Sequence, residues 1–199
     1  MHITSLQVGP IMTNCYLLCD ETAQVCALID PGDDALRVEQ MVAQSGCTLQ
    51  YILLTHGHFD HTSAVRPLLE KYPDVPVYIH EKDAADTERG ELLFRKVGPE
   101  NQRFYKEGDT LPLGSLTIRV LETPGHSEGS VCLLVEGQNV LFAGDTLFRC
   151  SCGRCDFPGG DYRKMLTSLG RLASLEGNLR VLPGHERRVN PYMRQGAKQ

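Results

Sequence analysis

The chain has 199 residues, 41% of them hydrophobic and 23% charged, which suits one ordinary domain that buries a core without needing a disulfide or structural metal. Twenty Lys and Arg against 25 Asp and Glu leave a formal charge of −5. That balance excludes the large basic footprint of a broad nucleic-acid binder or of a protein drawn to anionic membrane surfaces.

Met1-His2-Ile3-Thr4-Ser5 has no basic segment followed by an apolar one, so no secretory signal is expected. No apolar run approaches the roughly 18 residues of a membrane span. Of the eight cysteines, Cys15, Cys19, Cys26, Cys47 and Cys132 sit in or beside apolar stretches. Buried, reduced thiols in a cytoplasmic protein are the expectation.

In chain order, Asn14–Cys19 and Val25–Ile29 are predicted strands, the second stopped by Asp30-Pro31-Gly32. Leu36, Val38, Met41 and Val42 recur at helical spacing, which predicts a helix over Ala35–Gln44 with Gly46 as its cap. Tyr51–Leu54 is a buried strand running into Thr55-His56-Gly57-His58-Phe59-Asp60-His61. A helix over Ser63–Lys71, a strand over Val75–Ile79 and some helix within 81–107 follow. Leu116–Leu121 is a strand ending near Thr123-Pro124-Gly125-His126. Val131–Val135 and Val140–Ala143 form a predicted hairpin around Gly137, ending at Gly144-Asp145. Tyr162–Ala173 is helical in pattern, and Arg180–Leu182 is a last strand ending at Pro183-Gly184-His185. No linker divides the chain. Both halves carry strand pairs, a helix and histidine-bearing strand ends, an echo compatible with two α/β layers packed sheet to sheet.

The chemistry concentrates at those strand ends. His56, His58, Asp60 and His61 place four ligand-type residues within six positions, and His126, Asp145 and His185 each follow a glycine after a later strand. A rigid sheet can present such side chains into one crevice. Imidazole is the commonest metal ligand, and a carboxylate can lie between two cations. No phosphate-binding glycine loop is present, which leaves a nucleotide enzyme without support.

These segments, in order and spacing, resemble the metallo-β-lactamase superfamily through nearly the whole chain. Cys152-Gly153-Arg154-Cys155-Asp156-Phe157-Pro158-Gly159-Gly160-Asp161 is similar to short bacterial glyoxalase II-like (hydroxyacylglutathione hydrolase-like) metallo-hydrolases. The resemblance implies an α/β fold, an αββα four-layer sandwich of two mixed β-sheets flanked by helices, as one domain over 1–199. The C-terminal helical substrate domain of larger glyoxalase II enzymes has no room, since 14 residues follow His185. The resemblance further implies two divalent metal ions, zinc foremost with iron or manganese as options. His56, His58 and His126 would hold one; Asp60, His61 and His185 the other; Asp145 would bridge them. An Asp at 145, where the true β-lactamase branches commonly carry Cys, favours the glyoxalase side. His2 and His80 match no motif position.

The implied activity is hydrolysis of a thioester of a small thiol. Two cations about 3.5–4 Å apart lower the pKa of a shared water, Asp60 would orient the resulting nucleophile as the catalytic carboxylate, and a thiol of pKa about 8.5 leaves with little acid assistance. Phe59, Phe148, Arg149 and Arg154 are the candidate substrate contacts, with Arg154 and Asp156 alternatively bracing their loop. Lys164 and the basic end (Arg187, Arg188, Arg194, Lys198) are further candidates for an anionic substrate. Asp30 is placed to support a ligand histidine. Cys150, Cys152 and Cys155 depart from relatives, as small loop residues or as a redox or metal-holding group. The segment from His185 to Asn190-Pro191 is short, so one cleft wall would be short or completed by another subunit. The expected partner is a small-molecule thioester, with no nucleic acid or membrane, in a monomer or small homo-oligomer. The alternatives are a mononuclear-iron persulfide dioxygenase, a lactonase-type, β-lactamase or other ester hydrolase, and a non-catalytic metal or redox protein.

Overall fold

In a computed structural model, which describes residues 1–84, 94 and 97–185, the elements in chain order are β1 (His2–Val8), β2 (Thr13–Asp20), β3 (Val25–Ile29), α1 (Ala35–Ser45), β4 (Thr48–Leu53), α2 (Phe59–Thr62), α3 (Val65–Lys71), β5 (Val77–His80), α4 (Glu81–Ala84), β6 (Gln102–Tyr105), β7 (Thr110–Leu113), β8 (Leu116–Glu122), β9 (Val131–Val135), β10 (Val140–Gly144), α5 (Tyr162–Ala173) and β11 (Arg180–Pro183). One sheet runs β1-β2-β3-β4-β5-β6 and the other β11-β10-β9-β8-β7. Both are mixed: β3 to β6 pair in parallel after two antiparallel pairings, and β11 joins β10 in parallel beside an antiparallel meander.

The layers follow from period-two alternation in strands that are apolar on both faces. Tyr16, Leu18, Ala27, Ile29 and Leu53 face the second sheet, packing with Leu113, Ile118, Val120, Leu133 and Phe142. Their neighbours Cys15, Leu17, Cys19, Cys26, Leu28 and Ile52 face outward and are covered by Val38 and Val42 of α1 and by Val65 and Leu68 of α3. On the far side, Leu121, Cys132, Leu141 and Ala143 pack with Leu172 of α5. The result is the four-layer helix–sheet–sheet–helix sandwich.

α5 begins where Asp161 accepts bonds from Arg163 N and Lys164 N at 2.8 and 3.1 Å, a cap that its sequence signals. The helix expected over Ser63–Lys71 is α3, starting two residues later, and a separate short helix, α2, precedes it. α2 starts earlier, at Phe59, and the chain breaks before α3 because the Ala64 N–H bonds the Pro31 carbonyl at 3.1 Å. This contact fixes α2 against the end of β3. It also explains Gly32, where a Cβ would lie 1.6 Å from the Asp60 carbonyl oxygen. β5 starts at Val77 rather than Val75, since Val75 N–H closes a turn onto Tyr72. β1 at one sheet edge, and the four-residue β6 and β7 at others, carry mixed, half-exposed sequences with too little apolar signal to stand out. Of the helix expected within 81–107, α4 is described; residues 85–93, 95 and 96 lie outside the described residues.

Candidate metal centre

The parallel strands all deliver chain to one end of the sandwich. β4 leads to His56 and His58, α2 carries Asp60 and His61, and β8, β10 and β11 end near His126, Asp145 and His185. Three groups of ligand atoms lie within 4.8 Å of one another: His56, His58 and His126; His56, His61 and Asp145; Asp60, His61 and His185. His58 Nδ1 faces His126 Nε2 at 2.8 Å. His185 Nε2 lies 3.2 Å from Asp60 Oδ2 and 3.4 Å from Asp145 Oδ2. Asp145 also reaches His61 Nε2 at 3.4 Å and His126 Nε2 at 3.5 Å. The carboxylate thus stands between two histidine groups.

Two of the ligand-type atoms facing this centre make no hydrogen bond. His56 Nε2 and Asp145 Oδ1 are buried and make no hydrogen bond, an arrangement that costs free energy unless something occupies the space they face. The outer ring nitrogens, by contrast, are committed. His61 Nδ1 donates to Asp30 Oδ2 at 3.0 Å, His126 Nδ1 to the Arg154 carbonyl at 2.7 Å, and His56 Nδ1 lies 3.1 Å from Thr55 Oγ1. Those bonds orient the rings so that Nε2 of His56, His61 and His126 points inward. The donor set of imidazoles and carboxylates fits divalent metal ions.

Asp30 is the hub expected beside a ligand. In a left-handed conformation (φ 51°) at the end of β3, it also accepts from Thr55 N at 2.8 Å and Thr55 Oγ1 at 2.7 Å. A second hub, Asp83 in α4, carries no motif signal. Its buried carboxylate accepts from Gly57 N at 2.9 Å, Ser127 Oγ at 2.6 Å and Gly129 N at 2.6 Å, joining the loop of His56 and His58 to that of His126. The Thr13 hydroxyl donates to Asp60 Oδ2 at 3.0 Å. The side chains of Asn14 and Tyr16 donate to the Pro183 carbonyl at 3.0 and 2.7 Å, which fixes the strand end before His185. Gly184 is required there: a Cβ would sit 2.2 Å from Asp145 Oδ1.

Protonation follows the same layout. Burial, reinforced by neighbouring imidazoles, holds His56 well below the usual histidine range and His58 at about 4, so both rings are neutral at neutral pH. Burial opposes charge on His61 and His185 too, but Asp145 prevails with Asp30 and Asp60, raising His61 strongly and His185 to about 9. Burial likewise opposes ionisation of Asp145, and His61 and His185 overcome it and hold its carboxyl well below the carboxylate range.

A cleft of about 350 Å³ opens over the centre, lined by His58, Asp60, His126, Asp145 and His185 and by Ile11, Phe59, Phe148, Gly153, Arg154 and Phe157. Of the candidate substrate contacts, Phe59, Phe148 and Arg154 line it; Arg149 is exposed and does not. Ile11 and Phe157 are additional walls, Ile11 from a turn with no chemical signature. Arg154 does brace its loop, through Asp156. Lys164 lines a different groove, with Arg163 and Arg171. Cys150 is exposed at φ 61°, and Cys152 and Cys155 are partly buried free thiols; among the described residues no cysteine joins a ligand group. His80 bonds Glu122 at 3.0 Å, away from the centre. Arg187, Arg188, Arg194, Lys198 and the short segment to Asn190 lie outside the described residues.

Comparisons with known proteins agree with this geometry. The chain is 35% identical to the probable metallo-hydrolase YqgX of Bacillus subtilis, over 94% of this chain and 95% of that one. It is 30% identical to the hydroxyacylglutathione hydrolase GloC of Haemophilus influenzae, over 97% and 98%. Among solved structures it is similar to the BLEG-1 B3 metallo-beta-lactamase (TM-score 0.83, 31% identity, 96% of this chain and 94% of that one). It is also similar to TTHA1623 in a di-iron-bound form (TM-score 0.80, 37% identity, 94% of each) and to ETHE1 from Myxococcus xanthus (TM-score 0.80, 31% identity, 94% and 76%). With residues 8–185 matching the family as a whole, the chain belongs to the metallo-beta-lactamase superfamily.

Proposed function

We propose that this chain is a two-metal hydrolase that cleaves a thioester of a small thiol. The observation that carries the reading is Asp145, a buried carboxylate standing between two histidine groups, one of whose oxygens makes no hydrogen bond. His56, His58 and His126 would hold one cation, Asp60, His61 and His185 the second, and Asp145 both. Bound there, the cations supply Lewis acidity, polarising a carbonyl and bringing the pKa of water down to about 7.

The chain's own groups set the geometry. Asp60, on the cleft floor and fixed by the Thr13 hydroxyl, orients the attacking water. Asp30 and the Arg154 carbonyl keep His61 and His126 from rotating, so the site is organised before substrate arrives. Phe59, Phe148 and Phe157 give the cleft apolar walls. The departing thiolate, conjugate to a thiol of pKa about 8.5, needs no dedicated acid. Similarity to GloC, a hydroxyacylglutathione hydrolase, supports thioester cleavage.

The second reading is mononuclear-iron chemistry on a persulfide, which the similarity to ETHE1 keeps in view, whereas the di-iron-bound TTHA1623 is in keeping with two cations. A mononuclear iron site would leave Asp60 and His185 idle. Their placement 3.2 Å apart, both facing Asp145 and His61, supports the hydrolase. Metal analysis with activity assays separates the two. Two equivalents of metal per chain, with thioester cleavage lost to a chelator and restored by zinc, are expected. One iron with oxygen uptake on a persulfide and no thioester cleavage would overturn the proposal. Metal held with neither activity would point to a non-catalytic protein.

A further inference from the structure

The walls of the cleft differ in kind from its floor. The floor consists of the metal-facing side chains. The walls are Ile11 from the turn between β1 and β2, Phe59 from the first turn of α2, and Phe148 and Phe157 from the loop after β10. Ile11 is 49% exposed and Phe59 37% exposed. Large apolar side chains from separate segments thus converge on one opening while remaining open to solvent, the pattern of a surface that awaits an apolar ligand. Phe157 stands edge-on to His58 with ring centres 5.6 Å apart, and Phe148 edge-on to His185 at 6.1 Å. The apolar surface therefore starts where the ligand rings end, next to any bond held over the centre.

Arg154 is the one Lys or Arg among the described residues that line this cleft, and it is already engaged. Its Nε and Nη2 each donate to a carboxylate oxygen of Asp156 at 2.6 Å, and its guanidinium lies 4.1 Å over the centre of the Phe157 ring. Forked onto a carboxylate and stacked on a ring, it serves as a flat piece of wall that is already ion-paired. A carboxylate pushed between Ile11, Phe59 and Phe148 would lose its water and gain no free donor from those walls. At about 350 Å³ the cleft is also at the small end of ligand pockets.

We infer that this cleft is an acyl pocket for a short, uncharged apolar group, so that the substrate class is thioesters of small alkyl or aryl acids, with any charged part of the thiol outside it. This rests on the hydrolase reading and assigns the group adjoining the scissile bond. Burying each added methylene is worth about a fourfold gain in transition-state binding.

The test uses the full chain with zinc restored and thioesters of one neutral thiol, N-acetylcysteamine, carrying acetyl, butanoyl, phenylacetyl, glycoloyl or succinyl groups. From acetyl to butanoyl, kcat/KM is expected to rise about tenfold, with succinyl and glycoloyl at least about tenfold below butanoyl. Phe148→Ala and, at a more exposed position, Phe59→Ala should flatten that rise. Arg154→Leu should leave the order of substrates unchanged. Calorimetry with two inert thioethers, S-butyl- and S-(2-carboxyethyl)-N-acetylcysteamine, gives a readout apart from turnover. The butyl compound should bind at least about tenfold more tightly, with a negative heat-capacity change that Phe148→Ala diminishes. Cleavage with a flat chain-length profile, preference for succinyl, or loss of succinyl turnover alone in Arg154→Leu would overturn the apolar pocket and leave the hydrolase. No cleavage of any thioester, with the butyl thioether still bound and its binding weakened by Phe148→Ala, would overturn the hydrolase and leave the pocket.

Discussion

Asp20 and Asp83 use the same physics at opposite ends of the first sheet. Asp20, where β2 turns toward β3, accepts from Thr22 N, Ala23 N, Ser115 N and Ser115 Oγ at 3.0, 3.2, 2.6 and 2.7 Å. It clamps the β2–β3 turn to the β7–β8 turn, and the Ser115 hydroxyl and amide pull its carboxyl down to about 2. Asp83 joins two loops in the same manner. At the Asp20 end the loops carry no ligand-type group in a metal-holding cluster; at the Asp83 end they carry His56, His58 and His126. A buried carboxylate that satisfies loop amides is a stabilising device wherever it occurs. It becomes a site-building device where the loops it ties carry ligand-type side chains that converge on one centre.

That contrast can be broken most forcefully at the centre itself. Asp145→Ala should lose metal and turnover together, the latter by about 10³-fold or more, as metal analysis and initial rates would show; full activity would refute the bridging role. Asp83→Ala should weaken metal binding about 10–100-fold in chelator competition while the circular dichroism of the fold persists, and Asp83→Asn, which keeps the shape but sets an amide among donors, should fall between. Unchanged affinity in Asp83→Ala would place Asp83 with Asp20 as a purely structural clamp.

Asp20→Asn should leave metal affinity unaltered and lower the melting temperature by several degrees at neutral pH. The sign with pH is fixed by the depressed folded pKa. The unfolded chain binds the proton more readily, so the stabilisation is present above the ordinary value of 3.8 and fades as pH falls toward about 2. The gap between variant and parent in thermal melts should therefore close over that interval; a constant gap would mean that packing, not charge, accounts for the loss. The smallest effect is expected from Arg149→Ala. That side chain is exposed and outside the cleft, so KM for an uncharged thioester should stay within about twofold, and a large rise would restore it as a substrate contact.

Residue order alone determined the elements whose signal is local. β2, β3, α1, α5 and the β9–β10 hairpin follow from apolar periodicity and from stops such as Asp30-Pro31-Gly32 and Gly46. The ligand-type residues were equally visible, because a metal centre demands particular donors at strand ends and glycines beside them. Tertiary packing decided the rest. The split of α2 from α3 depends on a bond from Ala64 to Pro31, and β1, β6 and β7 gain their partners only at sheet edges. Asp83 looked like any charged residue in a mixed stretch until folding set it against Gly57 and Gly129, 26 and 46 positions away. Ile11 and Phe157 became one wall by the same convergence. Periodicity and donor chemistry are properties of neighbouring residues and so can be read along the chain. Which buried carboxylate meets which amide, and which apolar side chains share an opening, depends on separations in space that only the packing of two sheets creates.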